Sequence, residues 1–218
     1  MQPQDTLAEK LRPQVLWRQS QLFAGHEEKI HDKHVIELAP GHGLFSERIL
    51  TDSPKTLTLI EADEQQAQLL RDFHAADPRV KVLSGDAHRT LTNDFGKVDT
   101  IVCAGLLYHT PHPLWLLENM ARLSPRYILI DTACAPANMI SARPELTNQH
   151  GYRQVVGPHA GLALLLPPEI YLSSMLSLGY KAVARVNTNP IPDSQVSGEA
   201  REILFGWQRC FSYWFEKI

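Results

Sequence analysis

The chain has 218 residues, of which 44% are hydrophobic and 21% charged, and this balance excludes a disordered, fibrous or low-complexity protein. The formal net charge of -3 provides no basic field for a polyanion and argues against a general nucleic-acid binder. The three cysteines fall at spacings that form neither a disulfide framework nor a metal-binding pair, so we expect reduced thiols and a cytoplasmic protein.

Residues 1–32 predict one or two amphipathic helices, because their apolar side chains recur at helical spacing on either side of Pro13. The stretch is too polar for a signal peptide, and no apolar run in the chain reaches the roughly 20 residues that a membrane helix needs. We therefore expect no membrane partner. Trp17, within these helices, either lines a substrate pocket or packs the helices onto the remaining fold.

From residue 33 onward, short runs typical of β-strands alternate with helical segments. The expected strands are 34–38, 56–60, 80–83, 98–104 and 127–130. Because parallel strands need crossover connections, the alternation predicts an α/β fold with a mostly parallel sheet and helices on both faces.

The alternation stops at 132–166, a proline-containing stretch that we expect to form a long irregular insertion. A double proline after it can start a helix that ends at Gly179. Two more strands are expected at 181–186 and 203–211, and the long connection between them indicates that the last strand returns antiparallel.

The first strand ends in a glycine-rich turn, Glu37-Leu-Ala39-Pro-Gly41-His-Gly43. Glycines let the backbone approach a ligand, and the helix that follows offers unsatisfied amide donors at its N-terminus. A dinucleotide fingerprint needs a third small residue here, and Leu44 in one register or Ser46 in the other does not supply it. The turn therefore indicates a ligand other than a dinucleotide.

This turn resembles the first motif of the class I S-adenosylmethionine-dependent methyltransferases, an acidic residue followed by three spaced glycines. Glu37, Gly41 and Gly43 match that motif, and Ala39 replaces its first glycine. The resemblance implies a Rossmann-like fold with a seven-stranded, mostly parallel sheet whose last strand is antiparallel. It also implies that these four residues border the methionine portion of the cofactor.

Two further strand ends continue the resemblance. The second strand ends at Glu61, where the family places an acid that accepts hydrogen bonds from both ribose hydroxyls. After the third strand, the resemblance implies that the Asp86 carboxylate accepts from the adenine amino group and that the Ala87 amide donates to the ring. The expected cofactor is S-adenosylmethionine, released as S-adenosylhomocysteine.

The fourth strand leads into Tyr108 and His109, and many small-molecule and transfer-RNA members of the family carry a similar Tyr-His element. Methyl transfer is an in-line displacement in which a hydroxyl or ammonium acceptor must lose a proton. Histidine titrates in the required range, so His109 is the first candidate for a general base or a substrate contact. It can alternatively cap the next helix or pack against adenine, and Tyr108 can be a core or lid aromatic.

Further substrate-selecting candidates lie beside the Tyr-His element and in the insertion, namely His112, His150, Tyr152, Arg153 and His159. The two HxxH pairs, His31 with His34 and His109 with His112, do not lie on the regular helical face that such a metal site needs. Magnesium-dependent relatives place carboxylates after the fourth and fifth strands, where this chain offers only Asp131. No metal is therefore expected.

The sequence is interpreted as one methyltransferase domain with four parts: a helical cover (1–32), a cofactor-binding core (33–131), a substrate-side insertion (132–166) and a C-terminal helix with strands (167–218). The expected reaction is methyl transfer to oxygen or nitrogen of a small polar metabolite. No Asn-Pro-Pro-Tyr-like element follows the fourth strand, which removes the best reason to expect methylation of exocyclic amines on DNA bases.

Two alternatives remain open. The first is a transfer-RNA modification enzyme of the wobble-uridine type, because the Tyr-His element also occurs in such relatives, although the acidic balance of the chain argues against it. The second is a noncatalytic S-adenosylmethionine-binding protein that serves as a regulatory subunit.

Overall fold

A computed structural model of the chain describes residues 16–91, 94–144, 162–186 and 210–218. Its strands are β1 (His34–Leu38), β2 (Thr56–Glu61), β3 (Val80–Ser84), β4 (Thr100–Ala104), β5 (Tyr127–Ala133), β6 (Ser141–Pro144), β7 (Leu162–Leu165), β8 (Tyr180–Arg185) and β9 (Cys210–Lys217). Its α-helices are α1 (16–23), α2 (Leu44–Thr51), α3 (Glu64–Phe73), α4 (Ala87–Thr90), α5 (Pro113–Arg122) and α6 (Pro168–Ser177).

Seven of the described strands form one sheet in the order β3-β2-β1-β4-β5-β9-β8. Strands β1 to β5 pair in parallel, and β9 runs antiparallel to both of its neighbours. The chain moves outward on one side of β1 and returns on the other side at β4. Open α/β sheets bind ligands at such a switch point, outside the carboxyl ends of the strands. The predicted fold class is confirmed.

Helices cover both faces of the sheet. Successive side chains of a strand point to opposite sides, and here both sides carry apolar residues that need cover. Val35 of β1 belongs to an apolar cluster that includes Leu22 of α1, whereas Ile36 belongs to a second cluster that includes Leu117 of α5 and Met175 of α6. No helix in the described part of the chain is long and apolar enough to cross a membrane.

The last strand lies later in the sequence than predicted. It spans Cys210–Lys217 instead of 203–211, and residues 203–209 lie outside the described part of the chain. Since β9 lies inside the sheet, successive residues such as Trp214 and Phe215 are both buried, and the strand shows no alternation of apolar and polar residues from which its start could be read.

The described residues of the stretch 132–166 are more regular than expected. β5 continues through Ala133, whereas the other predicted strands up to β8 agree with the structure within two residues at each end. β6 and β7 then form a two-stranded antiparallel pair, called the ribbon below. The intervening residues 145–161 lie outside the described part of the chain.

Candidate functional site

The loops after β1, β2, β3 and β4 meet at the carboxyl edge of the sheet. Backbone hydrogen bonds join them: Ala39 N donates to Ile60 O at 2.9 Å, Gly85 N to Glu61 O at 2.8 Å, and Gly105 N to Asp131 O at 2.7 Å. The residues that the sequence assigns to a cofactor site therefore share one edge, as the parallel order of the strands requires.

The glycine turn, residues 39–43, follows a left-handed path. Ala39, Gly41 and Gly43 have φ values of 52°, 56° and 76°. At Gly43 an added Cβ would fall 2.9 Å from a methyl group of Leu70, so α3 packs directly against this glycine. Ala39 takes the left-handed conformation despite its Cβ, which costs about 1 kcal/mol, and the turn still forms where the family motif has glycine.

Glu37 is a buried carboxyl group at the end of β1, with 2% of its surface exposed. Ser46 Oγ of α2 donates a hydrogen bond to its Oε2 at 2.6 Å. Burial raises the pKa of Glu37 to about 8, and the negative charge of Glu61 adds to that effect. The group is therefore mostly protonated at neutral pH.

Glu61 spans the space between the glycine turn and the start of α3. Its Oε2 accepts from the Gly41 amide and its Oε1 from the Asp63 amide, both at 3.0 Å. Each carboxylate oxygen can accept more than one hydrogen bond. The side chain is thus fixed in place while it keeps acceptor capacity toward a ligand.

Asp86 forms the N-cap of the short helix α4, and Ala87 is its first residue. The Asp86 Oδ1 atom accepts from the His88 amide at 3.0 Å and lies 3.0 Å from Nδ1 of the His88 ring. The hydrogen bond with the His88 side chain is the main cause that lowers the pKa of Asp86. Asp86 is therefore a carboxylate whose contacts with His88 are made through Oδ1.

Tyr108 and His109 lie in a 3-10 turn, Leu107–His109, called the Tyr-His turn below. Both side chains are buried, and their ring centroids are 3.9 Å apart. Thr110 follows, and its carbonyl accepts from the Leu164 amide of the ribbon at 3.2 Å. The described part of the insertion therefore lies against the Tyr-His turn, on the side where the sequence predicts the substrate.

Sequence reasoning missed a buried ion pair at the same edge. Arg18 of α1 pairs through Nη2 with Oδ2 of Asp131, which is fully buried in β5. Ser212 Oγ of β9 donates to the other carboxylate oxygen at 2.6 Å. The acid after the fifth predicted strand is visible in the sequence, but its partners lie 113 and 81 residues away in the chain, so no local pattern indicates them.

Trp17 precedes Arg18 in α1, and its side chain is half-buried. The neighbouring Gln19 side chain donates to the carbonyl of Leu44 at the start of α2. His112 is exposed beside the Tyr-His turn, with its ring centroid 6.2 Å from that of Trp115. The other substrate candidates, His150, Tyr152, Arg153 and His159, lie outside the described residues.

Within the described ranges, no group of three or more His, Cys, Asp or Glu side chains is arranged to hold a metal ion. Nδ1 of His34 lies 2.9 Å from Thr56 Oγ1, within hydrogen-bond distance, while His31 is exposed. Cys103 in β4 is buried, and its burial raises the thiol pKa to about 12, so this thiol stays protonated.

Comparison by sequence relates the chain to a protein family and to a curated enzyme. A family model described as ribosomal RNA adenine dimethylase matches residues 10–123, slightly more than half of the chain. The chain is also 30% identical over 108 residues to a tRNA U34 carboxymethyltransferase of Nautilia profundicola, covering 47% of this chain and 35% of that protein. It thus spans about a third of the length of this relative.

Comparison by structure finds methyltransferases. An S-adenosylmethionine-dependent methyltransferase from Mesorhizobium loti superposes with a TM-score of 0.61 at 13% identity, over 87% of this chain and 93% of that one. The 1,6-didemethyltoxoflavin-N1-methyltransferase of Burkholderia thailandensis was solved with 1,6-didemethyltoxoflavin and S-adenosylhomocysteine bound. It superposes with a TM-score of 0.59 at 12% identity, over 99% of this chain and 86% of that one. These TM-scores show a shared fold.

Glu37 gives the folded protein a pH dependence that Glu37→Gln removes. Because its folded-state pKa of about 8 lies above the ordinary value of 4.5, its contribution to stability is fully present below that ordinary value and is lost as pH rises through the folded pKa. We expect urea unfolding to show the wild type losing stability relative to E37Q between about pH 5 and about pH 8.5. Glu118→Gln, on the exposed side of α5, is the control and should follow the wild type. A wild-type to E37Q difference that is constant with pH would contradict the raised pKa.

Proposed function

The chain belongs to the ribosomal RNA adenine dimethylase family and is an S-adenosylmethionine-dependent methyltransferase, and we propose that it methylates an oxygen or nitrogen of a small polar acceptor. The observation that carries the proposal is the meeting of the glycine turn, Glu61, Asp86 and the Tyr-His turn at one sheet edge. The ribbon lies against the Tyr-His turn, and α1 is tied to the same edge, which favours an enclosed acceptor.

The residues at this edge fit the cofactor. An added Cβ at Gly41 would meet no atom within 4 Å, so the backbone there is open to the methionine portion, which we assign to the stretch from Glu37 through Ala39 to Gly43. The remaining acceptor capacity of Glu61 suits the two ribose hydroxyls. Asp86 Oδ2 suits the adenine amino group, and we assign the Ala87 amide to the adenine ring.

When bound, S-adenosylmethionine supplies a methyl group on a positively charged sulfur for in-line displacement by the acceptor. The thioether product needs no proton, so the proton chemistry of the chain concerns only the acceptor. In the proposed reaction His109 takes the proton of a hydroxyl acceptor as the new bond forms, or the proton of an ammonium acceptor before the freed amine attacks the methyl group. The ring of Tyr108, 3.9 Å away, holds the imidazole in one orientation, and burial of both side chains limits access of water. Trp17 and His112 are proposed as contacts at the margin of the acceptor site.

The proposed cofactor contacts predict binding of S-adenosylhomocysteine that depends on two carboxylates. Glu61→Ala and Asp86→Ala should each weaken binding by about 1 to 3 kcal/mol, because buried polar groups of the ligand lose their partners. Isothermal titration calorimetry measures the affinity, with thermal unfolding to confirm that each variant is folded. Asp72→Ala, on the exposed face of α3, is the matched control and should bind as the wild type does. Absence of binding to the wild type would refute the cofactor site.

The proposed base predicts a loss of turnover without a loss of cofactor. A screen of small hydroxyl and amine metabolites, followed by release of S-adenosylhomocysteine, identifies the acceptor. His109→Ala should then lower kcat by about 100-fold to 10,000-fold, the range for a lost general base, while S-adenosylhomocysteine affinity stays within about twofold. Tyr108→Phe keeps the ring contact and should retain most of the activity if the ring alone is needed. Unchanged turnover in His109→Ala would refute the catalytic assignment.

An RNA acceptor is the second candidate, and the comparisons favour it over a noncatalytic binder. The matched family is described by a ribosomal RNA reaction, and the curated relative is a transfer-RNA enzyme. The net charge of -3 opposes this candidate, as does the sequence after β4, where Gly105 and Leu106 precede the Tyr-His turn in place of an Asn-Pro-Pro-Tyr-like element.

Salt dependence distinguishes the two acceptors. Binding of RNA through phosphate contacts releases counterions, so an RNA enzyme should lose about 100-fold or more of its affinity between about 50 and 200 mM salt. The small-acceptor proposal predicts weak binding to bulk transfer RNA that changes little over this range. Fluorescence anisotropy with labelled transfer RNA measures both, and tight, steeply salt-dependent binding would replace the small acceptor by RNA.

A further inference from the structure

His88 is a buried histidine that bridges the loop after β3 and the loop after β4. Only 9% of its surface is exposed. Its Nδ1 lies 3.0 Å from Oδ1 of Asp86, and its Nε2 lies 3.1 Å from Oγ1 of Thr110 and 3.3 Å from the carbonyl oxygen of His112. Its own carbonyl accepts from Asn119 Nδ2 of α5 at 2.9 Å. Two loops and one helix therefore fix its position.

The hydrogen bond between the ring and Asp86 has a defined direction. A carboxylate only accepts hydrogen bonds, so Nδ1 of His88 carries a proton and donates it to Asp86. Thr110 Oγ1 already accepts from the His112 amide at 3.1 Å. In the neutral imidazole, its hydroxyl proton then points to Nε2. A continuous chain of donors runs from Thr110 through His88 to Asp86.

The two ends of this hydrogen-bond network lie in parts of the site to which we assign different functions. Asp86 is the residue that we assign to the adenine amino group. Thr110 directly follows His109, and its carbonyl holds the ribbon through Leu164. A displacement of Thr110 would therefore move both the proposed base and the ribbon above it.

We propose that His88 is a positioning residue that couples occupation of the cofactor site at Asp86 to the placement of the Tyr-His turn and the ribbon. The inference rests on the proposed function, because it takes Asp86 as a cofactor contact. A ligand that fixes the Asp86 carboxylate fixes the His88 ring, and the ring in turn fixes Thr110. The two halves of the site are thereby ordered together.

Two conservative variants separate the two contacts of the ring. The amide nitrogen of asparagine takes the place of the donor Nδ1, and the amide oxygen of glutamine takes the place of the acceptor Nε2. His88→Asn therefore retains the contact with Asp86 and loses the one with Thr110, whereas His88→Gln does the reverse. The exposed His31 provides the matched controls, His31→Asn and His31→Gln.

The measurements use S-adenosylhomocysteine alone, so they need no knowledge of the acceptor. Calorimetry gives its affinity, and NMR-detected hydrogen exchange of the Leu164 amide reports how firmly the ribbon is held on Thr110. In the wild type we expect the ligand to slow this exchange by about tenfold, the equivalent of one added hydrogen bond. H88N should bind within about twofold of the wild type but show no slowing, and H88Q should bind about tenfold more weakly.

H88N and H88Q that behave alike in both measurements would overturn the proposal, since a structural histidine gives no reason for a split between them. Should either variant fail to fold, Thr110→Val and Thr110→Ser decide: loss of the slowing in T110V and its return in T110S support the coupling, and equal slowing in both refutes it. Failure of the wild type to bind S-adenosylhomocysteine would refute the proposed function itself, which keeps the two failures distinct.

Discussion

The buried carboxylate of Asp131 is the constraint on which the arrangement of the site depends. A charge without exposure to water destabilises a fold strongly unless it is paired and hydrogen-bonded. Arg18 and Ser212 meet that need, and they come from α1 and β9. The backbone of Asp131 also holds the loop after β4 through Gly105. One side chain thus requires the N-terminal helix, the central strand and the last described strand to meet at the carboxyl edge of the sheet.

Two neighbouring acids at that edge differ in their hydrogen-bond donors. Glu37 has only the Ser46 hydroxyl as a hydrogen-bond donor and is held mostly protonated by burial. Glu61 instead accepts hydrogen bonds from two backbone amides, those of Gly41 and Asp63. The Glu61 side chain also helps to raise the pKa of Glu37, and a protonated Glu37 adds no negative charge to the side of the sheet where we expect the ligand.

Local pattern sufficed for the residues that lie next to strand ends. The glycine turn, Glu61 and Asp86 were predicted at the edge where the structure places them, because parallel strands bring their carboxyl ends together whatever the details of packing. The pairing of Arg18 with Asp131 joins segments 113 residues apart and leaves no periodic signal. β9 was placed too early for a related reason: a strand buried on both faces lacks the alternation that marks its ends.

The position of β9 between β5 and β8 also sets an order for assembly of the sheet. β8 lies at the sheet edge, and β9 is its neighbour in the described sheet. β8 therefore cannot join the sheet until β9 has paired with β5, a strand about 80 residues earlier in the chain. During synthesis β1 to β5 also emerge before β9, so they can pair with one another before that loop closes. Nascent protein should thus pass through a five-stranded intermediate in which Asp131 lacks its Ser212 partner and the edge of β5 is open to pairing with other chains.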